Sequence, residues 1–242
     1  MHEDLLEKMT TMRLLGMKRA FTESLQAGAQ THTADELLHY LLEAEWDDRH
    51  NRKINRLTRA ARFRYQANIE ELLFDEHRQL DQNLVHRLAG CDFIKKAENV
   101  LITGSTGVGK SYLISALGHQ ACHLGYRVMY FNLNRLFTQL KMAKADGSYL
   151  SKVIRIEKQD LLILDDFGLK PLDHVKSHLL MDIIEDRHGK KSTIMASQLP
   201  VSKWHETISE STLADAILDR IVHHAHRIDL KGESLRKRKP KK

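Results

Sequence analysis

The amino-acid sequence predicts an α/β protein in which a parallel sheet is flanked by helices and preceded by a small all-helical region. From residue 99 onward, short apolar runs typical of buried strands alternate with longer segments of helical periodicity, which is the pattern of such a sheet. The earlier part of the chain has apolar residues at helical spacing and no proline before Pro171. The 242 residues suffice for one large core and a helical appendage.

The composition argues against several classes of protein. No apolar run approaches the roughly 20 residues of a membrane span, and His2, Glu3 and Asp4 do not begin a secretory signal. The two cysteines, Cys91 and Cys122, lack metal-ligand spacing and fit a reducing compartment. We therefore expect a cytoplasmic protein without membrane contact. The net charge of +6 weakly favours a polyanionic partner such as nucleic acid.

The N-terminal region is predicted to consist of helices. Residues 3–27 have apolar positions at helical spacing, and a break is expected at Gly28. Thr33 and Glu36 have the spacing of a capping box, in which two side chains exchange hydrogen bonds with the first amides of the next helix. Leucines at positions 37, 38, 41 and 42 then form an apolar stripe.

The stretch from Trp46 to Tyr65 predicts a basic amphipathic helix, with apolar residues on one side and cations on another. The cations are Arg49, Arg52, Lys53, Arg56 and Arg59. A solvated surface face is about as good an explanation for a charged helix. Because few acidic residues follow Asp47 and Asp48 to neutralise this face, we favour contact with the phosphate backbone of DNA.

The remaining elements alternate in type. Residues 66–97 are expected to form a connecting segment with short helices. Strands are predicted at residues 99–103, 127–131, 161–164 and 193–196. Helices are predicted at residues 111–124, 134–144, 175–188 and 213–223. Residues 237–242 form a basic tail.

A glycine-rich loop joins the first of these strands to its helix. Residues Gly104–Ser111 match the phosphate-binding pattern G-x-x-x-x-G-K-[ST] in full. The glycines let backbone amides close around anionic oxygens at a helix N-terminus. Lys110 brings a cation to the β and γ phosphates, and the Ser111 hydroxyl can ligate Mg²⁺. The expected nucleotide contacts are Gly104, Ser105, Thr106, Gly107, Val108, Gly109, Lys110, Ser111 and Tyr112.

Polar residues end the next two strands of the predicted site. Asp165 is expected to hold Mg²⁺, directly or through water, and Asp166 to orient or deprotonate an attacking water. Ser197 and Gln198 end a later strand, and either could reach the γ phosphate, although a polar turn explains them nearly as well. Together with the loop, the two acids predict an ATPase that uses ATP with Mg²⁺.

Sequence spacing alone assigns no function to two arginines and three histidines. Arg220 lies on the last predicted helix and Arg236 follows a turn, so each is by spacing a surface residue. The histidines at positions 223, 224 and 226 have no cysteine or carboxylate to complete a metal site. We therefore interpret them as surface or packing residues.

The order of these motifs resembles the IstB/DnaC branch of the AAA+ P-loop ATPases. The phosphate loop, Leu161–Asp166, Ala216–Arg220 and the Gly-Glu-Ser-Leu-Arg run ending at Arg236 carry this resemblance. Leu42–Trp46 and the arginine-rich stretch after it are closer to IstB, the helper ATPase of insertion-sequence transposition. The resemblance covers nearly the whole chain. It implies a helical DNA-binding domain over residues 1–68, followed over 69–236 by an AAA+ core with a short C-terminal lid element.

The resemblance also implies roles for the unassigned residues. Arg220 corresponds to an arginine finger that acts on the neighbouring subunit, and Arg236 to the sensor-2 arginine of the subunit's own site. Either Ser197 or Gln198 corresponds to sensor 1. The family assembles into ATP-dependent homo-oligomers on duplex DNA and assists a partner transposase in target selection and strand transfer.

The chain departs from the family pattern at three positions. Asp166 stands where glutamate is more usual, Gln198 where asparagine follows the serine, and Leu235 where an aromatic residue is frequent. The first two differences could slow hydrolysis without affecting ATP binding.

Two other functions stay open at this point. A helicase loader of the DnaC kind would share the core motifs, and its N-terminal region would bind a helicase rather than duplex DNA. A small-molecule kinase also uses a phosphate loop, but the sequence contains no clear acceptor site.

Overall fold

The computed structural model describes residues 2–26, 33–74 and 78–235. Contacts within the chain divide it into two units, Met1–Arg56 and Leu57–Lys242. The functional boundary that the resemblance places after residue 68 stays a prediction. None of the helices within the described ranges combines the length and the apolar character needed to cross a membrane.

The first unit is helical, and the stretch predicted to be helical at its start is divided into two helices. Helix α1 covers His2–Thr11 and α2 covers Leu15–Gln26. Between them Arg13 has a φ of 58°, a left-handed conformation that cannot continue a right-handed helix. The break predicted at Gly28 lies outside the described residues.

Helix α3, Ala34–Ala61, begins at the predicted capping box. The Thr33 amide donates to Glu36 Oε2 at 2.8 Å, and the Glu36 amide donates to Thr33 Oγ1 at 3.3 Å. The prediction that this helix reaches Tyr65 is wrong, because Arg62 takes a φ of 58° directly after its last turn. The residues that follow are therefore not part of the helix.

The leucine stripe of α3 is only partly buried. Leu41 is buried, whereas Leu38 and Leu42 are exposed. The close contact of α3 with α2 lies further along, where a Cβ on Gly16 would come within 2.3 Å of the Ala44 carbonyl oxygen. This crossing therefore requires a residue without a side chain.

The second unit is built around a five-stranded sheet in which the neighbouring strands are parallel. The strands are β1 Asn99–Gly104, β2 Val128–Asn132, β3 Leu161–Phe167, β4 Ser192–Ser197 and β5 Ala225–Leu230. Their spatial order is β2-β3-β4-β1-β5. The predicted α/β fold with a parallel sheet is confirmed.

Helices connect the strands and cover both faces of the sheet. They are α4 Gln82–Ala89, α5 Asp92–Lys95, α6 Lys110–His123, α7 Leu133–Ala145, α8 Tyr149–Glu157, α9 His174–Arg187 and α10 Ser211–Val222. Leu113 of α6 packs in the same core as Ile102, whereas Leu180 of α9 and Ile217 of α10 share a second core with Leu101. Successive strand residues point to opposite faces, so the neighbours Leu101 and Ile102 enter different cores.

Among the α-helices and strands of the described residues, helix α8 and strand β5 were not predicted from the sequence. In β5, Ile228 and Leu230 are buried while Arg227 and Asp229 are exposed. This edge strand lacks the continuous apolar run that marks strands covered on both faces. The histidines at positions 223, 224 and 226 do not form a recognisable strand pattern, so the start of β5 was not predicted either.

The carboxyl ends of the parallel strands meet at one edge of the sheet. Strand β3 continues through both acids to Phe167 rather than ending at Leu164, and its register with β4 is irregular between these two residues. Asp165 lies opposite Asn132 of β2. Because β1 delivers the glycine-rich loop to the same edge, the predicted nucleotide residues converge there.

Candidate nucleotide site and basic helix

The phosphate loop lies between β1 and the N-terminus of α6, as its spacing predicted. Gly107 and Gly109 have φ values of 87° and 99°, which favour glycine. A Cβ on Gly107 would also lie 2.1 Å from the Ser234 hydroxyl oxygen. The loop thus closes tightly at a helix N-terminus, where backbone amides attract anions.

Lys110 is held inside this loop. Its side chain is buried, and its Nζ donates to the carbonyl oxygens of Gly104 at 2.6 Å and Ser105 at 2.8 Å. These contacts fix the ammonium against the loop backbone. A cation in this position can neutralise phosphate oxygens that the amides bind.

Arg78 supports the loop and was missed by sequence reasoning. It is buried, and its two Nη atoms donate to the carbonyls of Leu73 and Val108, each at 2.7 Å. A Cβ on Gly109 would come within 2.6 Å of Arg78 Nη2. The sequence held no signal for this role, because a lone arginine in a connecting segment is usually a surface residue.

Asp165 is fully buried near the carboxyl end of β3. Its Oδ2 accepts a hydrogen bond from the Tyr130 hydroxyl at 2.5 Å, and its Oδ1 accepts from the Asp166 amide at 2.9 Å. Burial and the adjacent Asp165 charge raise the pKa of Tyr130, so the tyrosine stays a neutral donor. The carboxylate is therefore fixed in orientation.

Asp166 has a strained backbone, with a φ of 62° in a residue that carries a Cβ. Its Oδ2 accepts a 2.7 Å hydrogen bond from Asn132 Nδ2. Burial, and then the charge of Asp165, raises its pKa above the usual aspartate value. A higher pKa makes Asp166 a better proton acceptor than an ordinary aspartate.

A second arginine absent from the sequence prediction, Arg64, also reaches the two acids. Its Nη1 lies 3.7 Å from Asp165 Oδ2 and 3.5 Å from Asp166 Oδ2. Arg64 follows the end of α3 and had no motif to single it out. Only the fold brings it beside residues about a hundred positions away in the chain.

Gln198 and Ser197, the two residues that could contact the γ phosphate, have different hydrogen-bond partners in the structure. Gln198 Oε1 accepts a 2.7 Å hydrogen bond from Thr106 Oγ1 of the phosphate loop. Ser197 is buried, and its hydroxyl donates to the Phe167 carbonyl at 2.8 Å and accepts from the Leu199 amide at 3.0 Å. The Ser197 side chain is thus engaged in holding the strand ends together.

Several of these groups line one cleft of about 410 Å³. It is lined by Arg64, Tyr65, Thr106, Gly107, Gly109, Lys110, Ser111, Tyr112, Asp166, Leu169, Gln198 and Leu235. The Leu235 amide donates to the Gly107 carbonyl at 2.9 Å, which ties the C-terminal segment to the loop. The next residue, Arg236, lies outside the described residues, so its contact with the γ phosphate stays a prediction.

The donor set suits a nucleotide with Mg²⁺. A hard divalent cation takes oxygen ligands, and Ser111 and the buried Asp165 supply a hydroxyl and a carboxylate. The narrow glycine loop offers amides and the Lys110 ammonium to phosphates. Of the predicted contacts, Val108 is buried and its carbonyl accepts from Arg78, whereas the Tyr112 hydroxyl donates to Glu71.

Arg220 is not among the residues that line this cleft. On α10 its Nε lies 2.5 Å from Glu185 Oε2, and its Nη1 donates to the Ala216 carbonyl at 3.0 Å. It lines a different cleft, with neighbours that include Lys96 and Asn99. Within one chain, Arg220 therefore does not complete the nucleotide site.

The comparison with protein families decides the classification. A family model described as IstB-like ATP binding protein matches residues 7–242, nearly the whole chain. The chain belongs to the IstB-like family of ATP-binding proteins. The family predicted from the motif order is thereby confirmed.

Relatives of this IstB-like chain support the assignment. It is 47% identical over 238 residues to an insertion-sequence ATP-binding protein of Sinorhizobium fredii (strain NBRC 101917 / NGR234), with 98% of this chain and 97% of the relative covered. It is 33% identical to the ATP-binding protein of insertion sequence IS21 from Pseudomonas aeruginosa, with 90% and 82% covered. The names assign ATP binding to those relatives.

Solved structures with the same fold include DnaI and the DnaC helicase loader. DnaI aligns with a TM-score of 0.60 and 22% identity over 73% of this chain and 94% of its own. The DnaC loader aligns with a TM-score of 0.60 and 21% identity over 69% and 98%. At this identity the likeness concerns the fold alone, a parallel sheet flanked by helices.

Two of the five predicted DNA contacts of the IstB-like chain are engaged in ion pairs on α3. Arg49 Nε lies 2.7 Å from Glu45 Oε1, and Arg52 Nε lies 2.6 Å from Asp48 Oδ2. The expectation that few acids neutralise this face is wrong for Arg49 and Arg52, because acids that precede each of them by four residues pair with them. Among the described residues, the other three make no ion pair: Lys53, Arg56 and Arg59.

Glu45 has a structural reason to be ionised. Although burial opposes ionisation, hydrogen bonds from Arg49 and from the Met17 and Gly16 amides lower its pKa. The Gly16 and Met17 amides, 2.9 and 3.2 Å from Glu45 Oε2, belong to the first turn of α2. This carboxylate therefore joins two helices as well as pairing with Arg49.

The three histidines near the C-terminus do not gather into a metal site within the described ranges. His223 Nε2 lies 3.2 Å from Asp219, its neighbour one turn earlier. His226, on β5, lies 2.9 Å from Glu98 Oε2. Their interpretation as surface and packing residues agrees with these separate contacts.

Proposed function

We propose that this chain is a Mg²⁺-dependent ATPase that forms homo-oligomers on duplex DNA and assists a partner transposase in target selection and strand transfer. The observation that carries the hydrolytic part is the convergence of Lys110 and Asp166 on one cleft, with Asp165 buried beside Asp166. Membership of the IstB-like family supports ATP as the nucleotide. The insertion-sequence names of the relatives support transposition as the setting.

Four residues at the cleft or beside it have a proposed part in hydrolysis. Lys110 and the loop amides bind the phosphates, while Ser111 and Asp165 hold Mg²⁺, which when bound neutralises charge on the phosphates. Asp166 orients the attacking water and accepts its proton. Its hydrogen bond from Asn132 fixes the carboxylate, and its raised pKa suits this role.

Gln198 is the better candidate for the γ-phosphate contact. Its amide lies against Thr106 of the phosphate loop and lines the cleft. Ser197 already uses its hydroxyl for two backbone hydrogen bonds and is buried. We therefore assign sensor 1 to Gln198 and a supporting role to Ser197.

The role of Arg220 requires a second copy of the chain. A partly exposed cation that lies outside its own nucleotide cleft can act as an arginine finger only on a neighbour. Homo-oligomers are thus part of the catalytic proposal. Arg236 would contact the γ phosphate of its own subunit from the segment that Leu235 fastens to the loop.

The basic side of α3 is the proposed surface for duplex DNA. Lys53, Arg56 and Arg59 lack acidic partners among the described residues, so their charge is available to phosphates. Arg49 and Arg52 would contribute less, because each shares its charge with a neighbouring carboxylate. Contacts of this kind hold the DNA backbone and carry no base information.

The first test is ATP hydrolysis and assembly with and without duplex DNA. We expect ATP to promote oligomers and to tighten duplex binding, with particle size followed by electron microscopy. If ATP does neither, the proposal is rejected. A preference for single strands together with co-purification of a replicative helicase would instead indicate a helicase loader.

A mixing experiment tests the shared site. Arg220→Ala and Asp166→Asn proteins should each be inactive. The first lacks the arginine finger, which can contribute roughly 10³-fold in rate. The second lacks the carboxylate that accepts the proton of the attacking water. Mixed together, they should regain activity at interfaces that combine an intact Asp166 with an intact Arg220. Absence of rescue at every mixing ratio would contradict catalysis across an oligomer interface.

A further inference from the structure

Arg64 places a cation beside both acids at the end of β3. The distances of 3.7 Å to Asp165 and 3.5 Å to Asp166 are within ion-pair range. Asp165 is buried and lies next to a second carboxylate, so two acidic side chains meet where little water reaches them. The guanidinium brings a positive charge to them within the same chain.

The backbone of Arg64 is fastened on both sides. The Phe63 ring packs 4.3 Å from the His119 ring, at a point where a Cβ on Gly118 would come within 2.3 Å of Phe63. The Tyr65 carbonyl lies 3.2 Å from His119 Nε2, and the Tyr65 ring lies 5.5 Å from the Arg64 guanidinium carbon. Arg64 thus reaches the carboxylates from a segment that packs against α6.

Mg²⁺ would bind to the Asp165 carboxylate, which Arg64 also approaches. A divalent cation bound by Asp165 and a guanidinium at ion-pair distance from that carboxylate repel each other, most strongly where water is scarce. The contact between Arg64 and Asp165 and the binding of Mg²⁺ by Asp165 therefore oppose each other. The exposed part of the Arg64 side chain, 40%, leaves it room to turn away.

We propose that Arg64 competes with Mg²⁺ for the carboxylates of Asp165 and Asp166 and so sets the Mg²⁺ concentration at which the nucleotide site is filled. The inference rests on the proposed function, since it concerns the metal of the same site. Arg64 is on this view a positioning residue that holds the two acids ready and yields to the metal.

The test is a Mg²⁺ titration of the full-length protein with a fluorescent, slowly hydrolysed ATP analogue. The half-saturating Mg²⁺ concentration is compared between the wild type, Arg64→Gln and Arg64→Lys. Arg62→Gln is the matched control, because Arg62 is exposed and makes no ion pair among the described residues. We expect a decrease of about three- to tenfold for Arg64→Gln, a smaller decrease for Arg64→Lys and no change for Arg62→Gln.

Other results would contradict the inference. An unchanged or increased half-saturating concentration for Arg64→Gln would overturn it. So would weaker binding of the analogue to Arg64→Gln in EDTA, since that result would make Arg64 a phosphate ligand. If the wild type itself shows no Mg²⁺-dependent binding of the analogue, the proposed function is contradicted as well. If the wild type shows such binding and only the effect of Arg64→Gln is missing, the inference about Arg64 alone is contradicted.

Thermal unfolding of each variant shows whether it is folded. Should Arg64→Gln not fold, Arg64→Lys keeps the charge and shortens the reach. A half-saturating concentration at or above the wild-type value for folded Arg64→Lys would then overturn the inference.

Discussion

The Asn132 side-chain amide donates a 2.7 Å hydrogen bond to the Asp166 carboxylate, which joins the end of β2 to the proposed catalytic acid. Asn132 also caps α7, because its Oδ1 accepts from the Arg135 amide at 3.3 Å. One side chain therefore fixes both a helix start and an acid. Its two functions can be separated by substitution.

Replacing Asn132 is expected to reduce turnover without weakening ATP binding. Asn132→Ser keeps a capping hydroxyl but is too short to hold Asp166, whereas Asn132→Ala loses both contacts. We expect both variants to lose about tenfold in kcat, and only Asn132→Ala to lose about 1 kcal/mol of stability. Steady-state ATPase assays and urea unfolding measure the two effects. Normal kcat in Asn132→Ser would show that the hydrogen bond does not position Asp166.

The basic face of α3 predicts a salt-dependent pattern of DNA binding. Arg56→Ala should weaken duplex binding equally for different sequences and reduce the slope of log K against log salt by about 0.9. Arg49→Ala should have a smaller effect, because Arg49 is paired with Glu45. Fluorescence anisotropy at several salt concentrations measures both slopes. Sequence-selective loss for Arg56→Ala would contradict contact with the backbone.

Cys91 and Cys122 should resist alkylation in the folded protein. Burial raises the pKa of each thiol to about 12, so only about one in ten thousand is ionised at pH 8. Iodoacetamide should therefore leave both unmodified until urea unfolds the chain, as followed by mass spectrometry. Labelling of either cysteine at the rate of a small free thiol would show that its side chain is accessible.

Asp160 should make stability depend on pH. Burial opposes its ionisation, but hydrogen bonds from Arg127 and Lys191 outweigh this and hold its pKa well below the usual range. The stabilisation is thus complete above the unfolded pKa of about 4 and is lost as the pH falls through the lower folded pKa.

The corresponding substitution is Asp160→Asn. At pH 7 it should cost about 1–3 kcal/mol in the free energy of unfolding, with a smaller cost in acid. Asp92→Asn is the control, because Asp92 and its partner Lys95 are both largely exposed. Urea unfolding at several pH values gives the comparison, and a pH-independent cost for Asp160→Asn would contradict the assignment.

Local signals were enough to predict much of the molecule. The phosphate loop was recognisable because its pattern, its preceding apolar strand and its following helix are contiguous in the chain. The capping box at Thr33 and Glu36 was predicted for the same reason, since its partners are three residues apart. Strand β5 was missed because an edge strand with exposed Arg227 and Asp229 has no distinctive local pattern.

The sequence by itself determined the family and the α/β class, and it predicted the residues that would bind phosphate and metal, because each depends on residue types at short spacing. Only the tertiary structure decided which side chains meet. It placed Arg78 under the phosphate loop, Arg64 beside Asp165, and Arg220 outside its own nucleotide cleft. An arginine can pair with any carboxylate that the fold brings near, so its chemistry is fixed by distance in space rather than by position along the chain.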